Sequence, residues 1–420
     1  MYFSFKEIIV LGLYNILTHL TQHLLKGIGL FNHKIKLGVD GRAQTFSTLI
    51  SALSPKDNTI WFHCASLGEY EQGLPVFEEI KKTYRDHKIV LSFFSPSGYE
   101  VKKDSSIADV VIYLPLDTKS NAKRFLDIVN PDLSIFVKYE IWPNYLNTLK
   151  NRKKRALLIS ALFRKDQLYF KGHGKWMLNA LKAFEHIFVQ DDNSLSLLNA
   201  FEYHNVTRSG DTRFDRVSNQ LNIDNDLTFL NTFKQDATCV VVGSSWPEDE
   251  KLLVPFINKS TTKNVKYVIA PHNIKEQQIV NLMNAFEKKA VRYSQMDGAD
   301  LKTFDVLIID TIGLLSKIYS YSNIAYVGGA VGNTGLHNTL EPAVFGVPIL
   351  IGNNYSKFPE ANAMIENKGM FSISTQEELD ERLNFLLNNE QERRNAGNQN
   401  LAYIEKNKGA VIQIMNFIRR

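Results

Sequence analysis

Short β-rich runs alternate with amphipathic helical segments along most of this chain, in two consecutive series. The first series has runs at 59–63, 88–94, 109–115, 132–137, 155–160 and 186–190. The second has runs at 238–244, 265–271, 305–310, 323–329 and 347–352. Such alternation is typical of parallel sheets wrapped by helices. The sequence therefore predicts an α/β protein with two Rossmann-like domains.

The domain boundaries follow from the polar, mixed stretch between the two series. A chain of 420 residues is too long for one ordinary core. We assign residues 46–215 to an N-terminal domain, 216–235 to a linker and 236–420 to a C-terminal domain with C-terminal helices. Residues 1–45 are predicted to form an anchor helix and a basic linker, and the tail after residue 376 to pack back across both domains.

The first forty residues have the pattern of a membrane anchor. Ile8–Leu17 is almost wholly apolar, and Lys26, Lys34, Lys36 and Arg42 follow it. An apolar helix with a basic flank suits an anchor whose positive side faces the cytoplasm. Polar residues interrupt the run before the roughly 20 residues that a span needs, so spanning and lying on the bilayer both stay open. The alternative is a buried first helix.

Composition and motifs exclude several classes of function. The net charge of +5 comes without a dense basic patch interleaved with aromatics, so no nucleic acid is predicted as a partner. Cys64 and Cys239 form no CxxC pair, which argues against a zinc site or a disulfide framework. No HExxH, GxSxG, Walker A or metal-binding Asp-x-Asp signature is present. We expect no bound metal and no cofactor.

The most informative stretch is NIAYVGGAVGNTGLHNTLEPAVFGVPILIG, residues 323–352. A strand ends in Gly328-Gly329, a glycine-containing loop follows, and a helix is predicted to begin near residues 337–338. Glycines let a backbone approach a ligand, and a helix start favours phosphate. Glu341 could accept hydrogen bonds from a ribose, or it could complete a capping box with Asn338. The glycine loop favours a nucleotide site.

Other strand ends of the second series are predicted to meet at the same crevice, because ligands of such sheets bind at the carboxyl ends of the strands. Each of these residues alone could be structural, but together they indicate a ligand site. They are Ser244 and Ser245, Pro271 and His272, and Asp310, Thr311 and Gly313.

The corresponding strand ends of the first series are SLGE (66–69), SPSG (95–98) and KYEIWPN (138–144). An acceptor alcohol needs a base that takes its proton, and the candidates are Glu69 and Glu140. The alternatives are a helix N-terminal acid for Glu69 and a salt bridge with Lys138 or Arg155 for Glu140.

Taken together, these motifs resemble the 3-deoxy-D-manno-octulosonic acid (Kdo) transferases of glycosyltransferase family 30. The resemblance spans nearly the whole chain and rests on ASLGE, FSPSGYE, YLPLD, EIWPN, GDTRFD, GSSWPEDE, DTIGLL and GGAVGNTGLHNTLEP. It implies the GT-B fold, with two Rossmann-like domains facing across a cleft. It also implies an N-terminal acceptor domain and a C-terminal CMP-binding domain.

The family implies an inverting, metal-independent transfer of Kdo from CMP-Kdo to the lipid A precursor lipid IVA, at the cytoplasmic face of the inner membrane. Its general base falls on Glu69. We place Ser66, Gly68, Ser95, Ser97 and Gly98 on the acceptor side. The donor contacts expected are Ser244, Ser245, Pro271, His272, Ile312, Gly313, Leu314, Asn338, Thr339, Leu340 and Glu341.

Three departures from the family pattern concern charged residues. Lys138 stands where an acid is usual, in Lys138-Tyr139-Glu140, and Arg213 replaces a lysine. Lys138, Glu140 and Arg213 are expected to support the donor or the transition state. An arginine usual after Pro271 is missing, and Lys275 is the nearest substitute.

Two other functions are weighed against this one. A GT-B-like sugar-nucleotide 2-epimerase would share the nucleotide loop but would need neither the anchor nor SLGE. A non-catalytic membrane scaffold would not need Glu69. The sequence indicates neither an oligomeric state nor the number of Kdo units added.

Overall fold

The chain forms two compact α/β units in a computed structural model that describes residues 5–172 and 174–420. The first unit comprises the chain up to Arg216 together with Gly409–Arg420. The second comprises Val217–Lys408. The predicted fold class, with two Rossmann-like α/β domains, is confirmed.

The first unit is built on a seven-stranded parallel sheet in the order β3-β2-β1-β4-β5-β6-β7. Its central strands are apolar along their length because helices cover both faces of a parallel sheet. The strands are β1 Thr59–Cys64, β2 Lys88–Phe93, β3 Val110–Tyr113, β4 Leu133–Val137, β5 Arg155–Ala161, β6 His186–Val189 and β7 Val206–Arg208.

Helices connect these strands and cover the sheet. They are α1 Phe5–Gly29, α2 His33–Ala52, α3 Leu67–Thr83, α4 Pro96–Lys102, α5 Lys119–Val129, α6 Pro143–Asn151, α7 Lys175–Leu181, α8 Asp192–Ala200 and α9 Thr212–Asn219. On one face of the sheet Trp61 packs against Phe136, with ring centroids 4.9 Å apart. On the other face Phe62 stacks on Phe77 at 4.0 Å.

The second unit repeats the plan with a seven-stranded parallel sheet in the order β10-β11-β9-β8-β12-β13-β14. Its strands are β8 Thr238–Ser245, β9 Val265–Pro271, β10 Ala290–Arg292, β11 Val306–Ile308, β12 Ile324–Val327, β13 Ile349–Gly352 and β14 Met370–Ile373. Its helices are α10 Thr228–Lys234, α11 Pro247–Lys259, α12 Glu276–Ala285, α13 Leu315–Ile318, α14 Leu340–Ala343, α15 Pro359–Glu366, α16 Gln376–Asn388 and α17 Glu390–Asn407.

The last helix, α18 Ala410–Ile418, belongs to the first unit. The sequence had assigned residues 236–420 to the C-terminal domain, with the tail packing back across both domains. The apolar residues Val411, Ile414 and Met415 of α18 lie in the core cluster that contains Phe62 and Phe77. The apolar face of α18 thus finds its partner on α3. The stretch predicted as a linker holds α10, and the boundary between the units falls at Arg216.

The segment predicted as an anchor forms a 25-residue helix, α1, followed by α2. Among the residues that the structure describes, no helix is both long enough and apolar enough to cross a membrane.

In each sheet the strand order reverses once, between β1 and β4 in the first unit and between β8 and β12 in the second. Ligands of open parallel sheets bind outside the carboxyl ends of the strands at this reversal. The loops after β1, β4, β8 and β12 are therefore the places where a site is expected.

Candidate active site

Glu69 lies in the loop after β1, at the start of α3. Ser66 is the N-cap of that helix, with extended backbone, and Glu69 is in its first turn. The Glu69 carboxylate accepts a hydrogen bond from the backbone N–H of Ala65. The side chain thus fastens the turn as a helix-terminal acid would, and Glu69 is only 5% exposed.

Burial also changes the acidity of Glu69. Loss of solvent and, second, the nearby charge of Glu140 raise the pKa of the Glu69 carboxyl to about 8. The hydrogen bond from Ala65 and the charge of Lys138 act in the opposite direction. A carboxyl with a pKa near 8 exchanges protons at physiological pH, as a general base must.

Glu140 lies in the loop after β4, across the strand-order reversal from β1. It is 8% exposed, and its Oε2 accepts a 2.8 Å hydrogen bond from Nε1 of Trp142. Nε2 of His63 lies 3.4 Å from the same oxygen. Arg155, proposed from the sequence as a salt-bridge partner, instead pairs with Glu185 at 2.7 Å, because the two side chains meet at the amino-terminal edge of β5.

Lys138, next to β4, has a left-handed backbone with φ of 72°. Its backbone N–H donates to the carbonyl of Ile159 at 2.9 Å. Such a conformation is unfavourable for a lysine and is concentrated at functional loops. The residue that departs from the family pattern is therefore held in an unusual geometry beside both acids.

The residues assigned to the acceptor side lie on two adjoining turns. Ser95 caps α4 by accepting from the N–H of Ser97 at 3.3 Å, and its own N–H donates to the carbonyl of Ala65 at 2.8 Å. No atom lies within 4 Å of where a Cβ on Gly68 would be, so this turn is open in front of Glu69. Gly98 differs, since a Cβ there would overlap the ring of Phe93. Close packing accounts for Gly98.

Arg213 is connected to α3, the helix whose first turn contains Glu69. Its Nε donates to Oδ2 of the buried Asp211 at 2.8 Å, and Oδ1 of Asp211 accepts from Gln72 of α3 at 2.9 Å. Arg213 is therefore linked through Asp211 to the helix that carries Glu69.

In the second unit, the loops after β8 and β9 are bonded to each other. The backbone N–H of His272 donates to the carbonyl of Ser245 at 2.9 Å. The hydroxyl of Ser245 donates to Glu250 at 2.9 Å, and Ser244 has a φ of 53°. Ser244, Ser245, Pro271 and His272 are thus brought together, as predicted.

Three rings form a stack at this edge of the sheet. Trp246 stacks on His272 with centroids 4.5 Å apart, and His272 lies 4.5 Å from His337. Nε1 of Trp246 donates to Nε2 of His337 at 2.9 Å. Burial, with a contribution from His272, lowers the pKa of His337 to about 4, so its imidazole is neutral at physiological pH.

The two glycines after β12 have an internal structural role. A Cβ on Gly328 would overlap the carbonyl oxygen of Ser244, and one on Gly329, with φ of 97°, would overlap that of Gly335. Asp249 fixes this turn by accepting from the N–H of Gly329 at 2.9 Å. The absence of a Cβ at these two glycines was predicted to make room for a ligand. In the structure it makes room for neighbouring backbone.

The loop containing Asn338 and Glu341 is a closed hydrogen-bond system. Asn338 accepts from the N–H of Leu340 at 3.1 Å and donates to Glu341 at 3.0 Å. Ser316 donates to the other carboxylate oxygen of Glu341 at 3.0 Å. Glu341 thus accepts from side chains, whereas a capping box needs a backbone N–H. Oγ1 of the buried Thr339 has no hydrogen-bond partner among the described residues.

The loop before α13 contains the remaining predicted donor residues. Ile312 is 83% exposed, and Gly313 has φ of 91° with open space around its Cα. Leu314 precedes the first residue of α13. Asp310, expected to face a base or phosphate, instead accepts from Arg292 at 3.0 Å and from Ser294, because β10 and β11 are paired at this edge.

Within the described residues, no group of three or more His, Cys, Asp or Glu side chains could hold a metal ion.

Comparison with known proteins shows what the chain is similar to. Residues 40–216 match the family model described as 3-Deoxy-D-manno-octulosonic-acid transferase (kdotransferase), and this range includes Glu69 and Glu140. A 3-deoxy-D-manno-octulosonic acid transferase of Haemophilus influenzae is 25% identical over 402 residues, which cover 93% of this chain and 94% of that protein. Over most of its length the chain is thus similar to Kdo transferases.

Solved structures with low sequence identity show that the chain has a GT-B-like fold. The UDP-GlcNAc 2-epimerase of Neisseria meningitidis matches with a TM-score of 0.61 and 14% identity, over 86% of this chain and 100% of that one. A glycosyltransferase of Rickettsia africae matches with a TM-score of 0.53 and 10% identity, over 86% and 98%. The epimerase considered from the sequence is thus a neighbour in fold.

Several residues beside the candidate sites were not predicted from the sequence. Trp246 and His337 flank predicted donor residues, and the signal available was their position beside the strand-end motifs. His63 and Trp142 contact Glu140, yet a buried histidine within a strand gives no signal by itself. Asp117, in the YLPLD motif, accepts the N–H groups of Asn144 and Tyr145, each at 3.0 Å.

Proposed function

We propose that this Kdo transferase moves Kdo from CMP-Kdo to the lipid A precursor lipid IVA, with inversion and without a metal. Glu69 removes the proton of the acceptor hydroxyl. The oxygen bonds to the anomeric carbon as that carbon's bond to the phosphate oxygen of CMP breaks. The supporting observation is the buried Glu69, at the strand-order reversal and with its pKa raised to about 8.

The neighbours of Glu69 suit this role because they act on its charge in opposite directions. Glu140 raises the pKa of Glu69 and makes the carboxylate more basic, whereas Lys138 stabilises its ionised form. Lys138 thereby offsets a second negative charge near the base. Arg213, fixed by Asp211, supplies a further cation in the same unit.

The second unit supports binding of CMP-Kdo. The exposed Ile312-Gly313-Leu314 loop offers backbone and apolar contacts to the cytosine. The Glu341 carboxylate has acceptor positions left for a ribose diol, since an ionised carboxylate has about four. Ser244, Ser245 and Pro271–His272 border the same crevice, where we place the phosphate and the sugar. Asn338–Leu340 hold Glu341 in position.

A cavity in the first unit suits a phosphorylated, acylated acceptor. Its volume is about 300 Å³, and it lies between α1, α2 and the segment before α5. Lys26, Arg42 and Arg124 line it together with Leu25 and Phe46. Cationic and apolar side chains in one cavity favour an anionic amphiphile. This cavity supports a lipid acceptor.

We place the enzyme at the cytoplasmic face of the inner membrane, with α1 lying on the bilayer. Leu13, Leu17, Leu20 and Leu24 form a stripe along α1 and are 53–62% exposed. A different side of α1 is bonded to the first unit through Tyr14, which donates to Asp117 at 2.8 Å. A helix that is bonded to its own domain along one side and exposes apolar residues along another suits in-plane insertion.

The test is mass spectrometry of the glycolipid formed from CMP-Kdo and lipid IVA by the full-length protein in mixed micelles. We expect addition of Kdo by the wild type and loss of transfer in Glu69→Gln, with CMP binding unchanged. Glu71→Gln is the matched control, because Glu71 lies on the same helix and pairs with Lys102 at 3.1 Å. Interconversion of UDP-GlcNAc without a new glycolipid would reject the transferase.

A further inference from the structure

His63 is completely buried in β1, the strand that leads into the turn containing the proposed base, Glu69. Its imidazole is surrounded by the rings of Trp61, Phe136 and Trp142, with centroids 6.1, 5.7 and 5.9 Å away. A fully buried imidazole among aromatic rings must have both nitrogens satisfied by fixed partners.

The partners of His63 distinguish its two neutral tautomers. The indole N–H of Trp142 can only donate, and it lies 2.9 Å from Nε2 of His63, so this bond requires an Nε2 without a proton. In that tautomer Nδ1 carries the proton and donates to Oγ of Ser92, 2.9 Å away. Ser92 also accepts from the indole of Trp61 at 2.8 Å and donates to the carbonyl of Phe62 at 3.3 Å.

The same arrangement holds Glu140. The indole N–H of Trp142 is shared between Nε2 of His63 and Oε2 of Glu140, and these two atoms are 3.4 Å apart. Trp142 is further held by the ring of Phe94 at 4.8 Å. If Nε2 of His63 is removed by substitution, or is protonated in the other tautomer, Trp142 loses one hydrogen-bond acceptor. Glu140 then loses a neighbour with a fixed position.

We propose that His63 is a positioning residue: as the neutral Nδ1–H tautomer, it fixes the indole of Trp142 and thereby the carboxylate of Glu140 beside Glu69. This inference rests on the proposed function, in which Glu69 is the base. His63 touches neither substrate nor reacting atoms. It acts by keeping the second acid at a constant position, which sets the proton affinity of the first.

The charged and titratable groups around this acid pair come from several elements. They are Lys138 and Tyr139 in the loop after β4, Cys64 at the end of β1 and Tyr169 before α7. Lys138 favours the charged form of Glu69, while Glu140 favours its protonated form. A displacement of Glu140 therefore lowers the pKa of Glu69.

The first experiment measures the tautomer directly and needs no activity. In the wild type labelled with ¹⁵N-histidine, the His63 signal is assigned by its loss in His63→Phe. We expect Nδ1 protonated and Nε2 unprotonated in the wild type, and a mixture of tautomers in Ser92→Ala. An Nε2–H tautomer or a charged imidazole in the wild type would overturn the inference.

The second experiment compares the pH dependence of kcat in the wild type, His63→Phe, Glu140→Gln and the double variant. We expect His63→Phe to lower kcat about 10- to 100-fold, as loss of a supporting residue does, with KM unchanged. His63→Phe should move the midpoint of the pH profile of kcat to lower pH, as we also expect of Glu140→Gln. The double variant should show no larger change than Glu140→Gln alone. The matched control is His186→Phe. His186 lies on β6 and is hydrogen-bonded to Thr207 at 2.8 Å.

Other outcomes separate the two proposals. If His63→Phe keeps the wild-type midpoint of the pH profile, His63 has only a structural role. The same holds if the effects of His63→Phe and Glu140→Gln on kcat multiply in the double variant. If the wild type transfers no Kdo, the proposed function fails, while the tautomer measurement still decides the arrangement of His63, Trp142 and Glu140.

Discussion

The hydroxyl of Tyr14 donates a hydrogen bond of 2.8 Å to the carboxylate of Asp117. This bond joins α1 to the start of α6, because the N–H groups of Asn144 and Tyr145 donate to the same carboxylate. Asn144 also donates to the side chain of Asn15 at 2.9 Å. The helix with the exposed leucines is thereby bonded to the helix that follows Glu140 and Trp142.

Removal of this clamp should destabilise the first unit. We expect Tyr14→Phe to lower the free energy of unfolding by about 1–3 kcal/mol, because a hydrogen bond to a buried carboxylate is lost. Urea denaturation followed by tryptophan fluorescence measures the change. Tyr84→Phe is the control, since its hydroxyl lies 3.5 Å from the carbonyl of Ile418 and should matter little. Equal effects of the two variants would contradict a specific clamp.

The rate of transfer should depend on the ionisation of Glu69. Because its pKa is raised to about 8, kcat should rise with pH with a midpoint at about 8 and level off above it. Lys138→Met should move the midpoint to higher pH, since Lys138 lowers this pKa, while Lys138→Arg should keep it near the wild-type value. A midpoint in Lys138→Met at or below that of the wild type would show that Lys138 does not act on the base.

Glu69 should also reduce stability at high pH. An unfolded glutamate has a pKa near 4.3, and burial raises that of Glu69 to about 8. Between these values the folded state holds the extra proton, so stability falls as pH rises from about 4 to about 8. Glu69→Gln should lose this dependence and be more stable than the wild type at pH 9 by about 1–3 kcal/mol. Urea denaturation at pH 5 and pH 9 measures it, and equal pH slopes would contradict the raised pKa.

The leucine stripe on α1 should carry membrane binding. We expect Leu17→Glu with Leu20→Glu to reduce co-sedimentation with vesicles of phosphatidylethanolamine and phosphatidylglycerol at least about tenfold, since each change places a charge in apolar lipid. Ile412→Ser is the control, because Ile412 is 66% exposed but lies on α18. Undiminished binding by the double variant, with the control also unaffected, would show that α1 is not the contact.

The glycine turn after β12 should tolerate no side chain at Gly328. A Cβ there would overlap the carbonyl oxygen of Ser244, so Gly328→Ala should weaken CMP binding at least about tenfold and destabilise the second unit by roughly 1–3 kcal/mol. Calorimetry and thermal unfolding measure the two effects. Gly332→Ala is the control, since its nearest contact would be Cγ of Glu248 at 3.4 Å. Normal CMP binding by Gly328→Ala would place the donor elsewhere.

The central strands could be read from the sequence because each is a continuous apolar run. β1 and β9, for example, match the predicted runs within one residue at either end. The three strands that the prediction missed, β7, β10 and β14, are all edge strands of three or four residues. An edge strand is exposed along one side, so its sequence need not be apolar throughout. Pairing with a neighbour that is distant in sequence makes it a strand.

The candidate residues divide in the same way. Some could be recognised from the local sequence, through strand ends, caps and glycines within a few residues of one another: Glu69, Ser95 and the Gly328 turn. His63 and Trp142, 79 positions apart, become partners only when β1 and β4 lie side by side. The partner of Arg155 was wrongly anticipated for the same reason.

By itself, the sequence determined the α/β class, the two Rossmann-like domains, the resemblance to Kdo transferases and the loops that contain the acids and the glycine turn. These depend on periodicity and on residue types within short windows. Tertiary structure alone decided that α18 belongs to the first unit and that Trp246 is stacked with His272 and His337. It also decided that a buried histidine lies beside Trp142 and Glu140. The physical reason is that burial, hydrogen-bond direction and proton affinity arise from contacts between residues that only the folded sheet brings together.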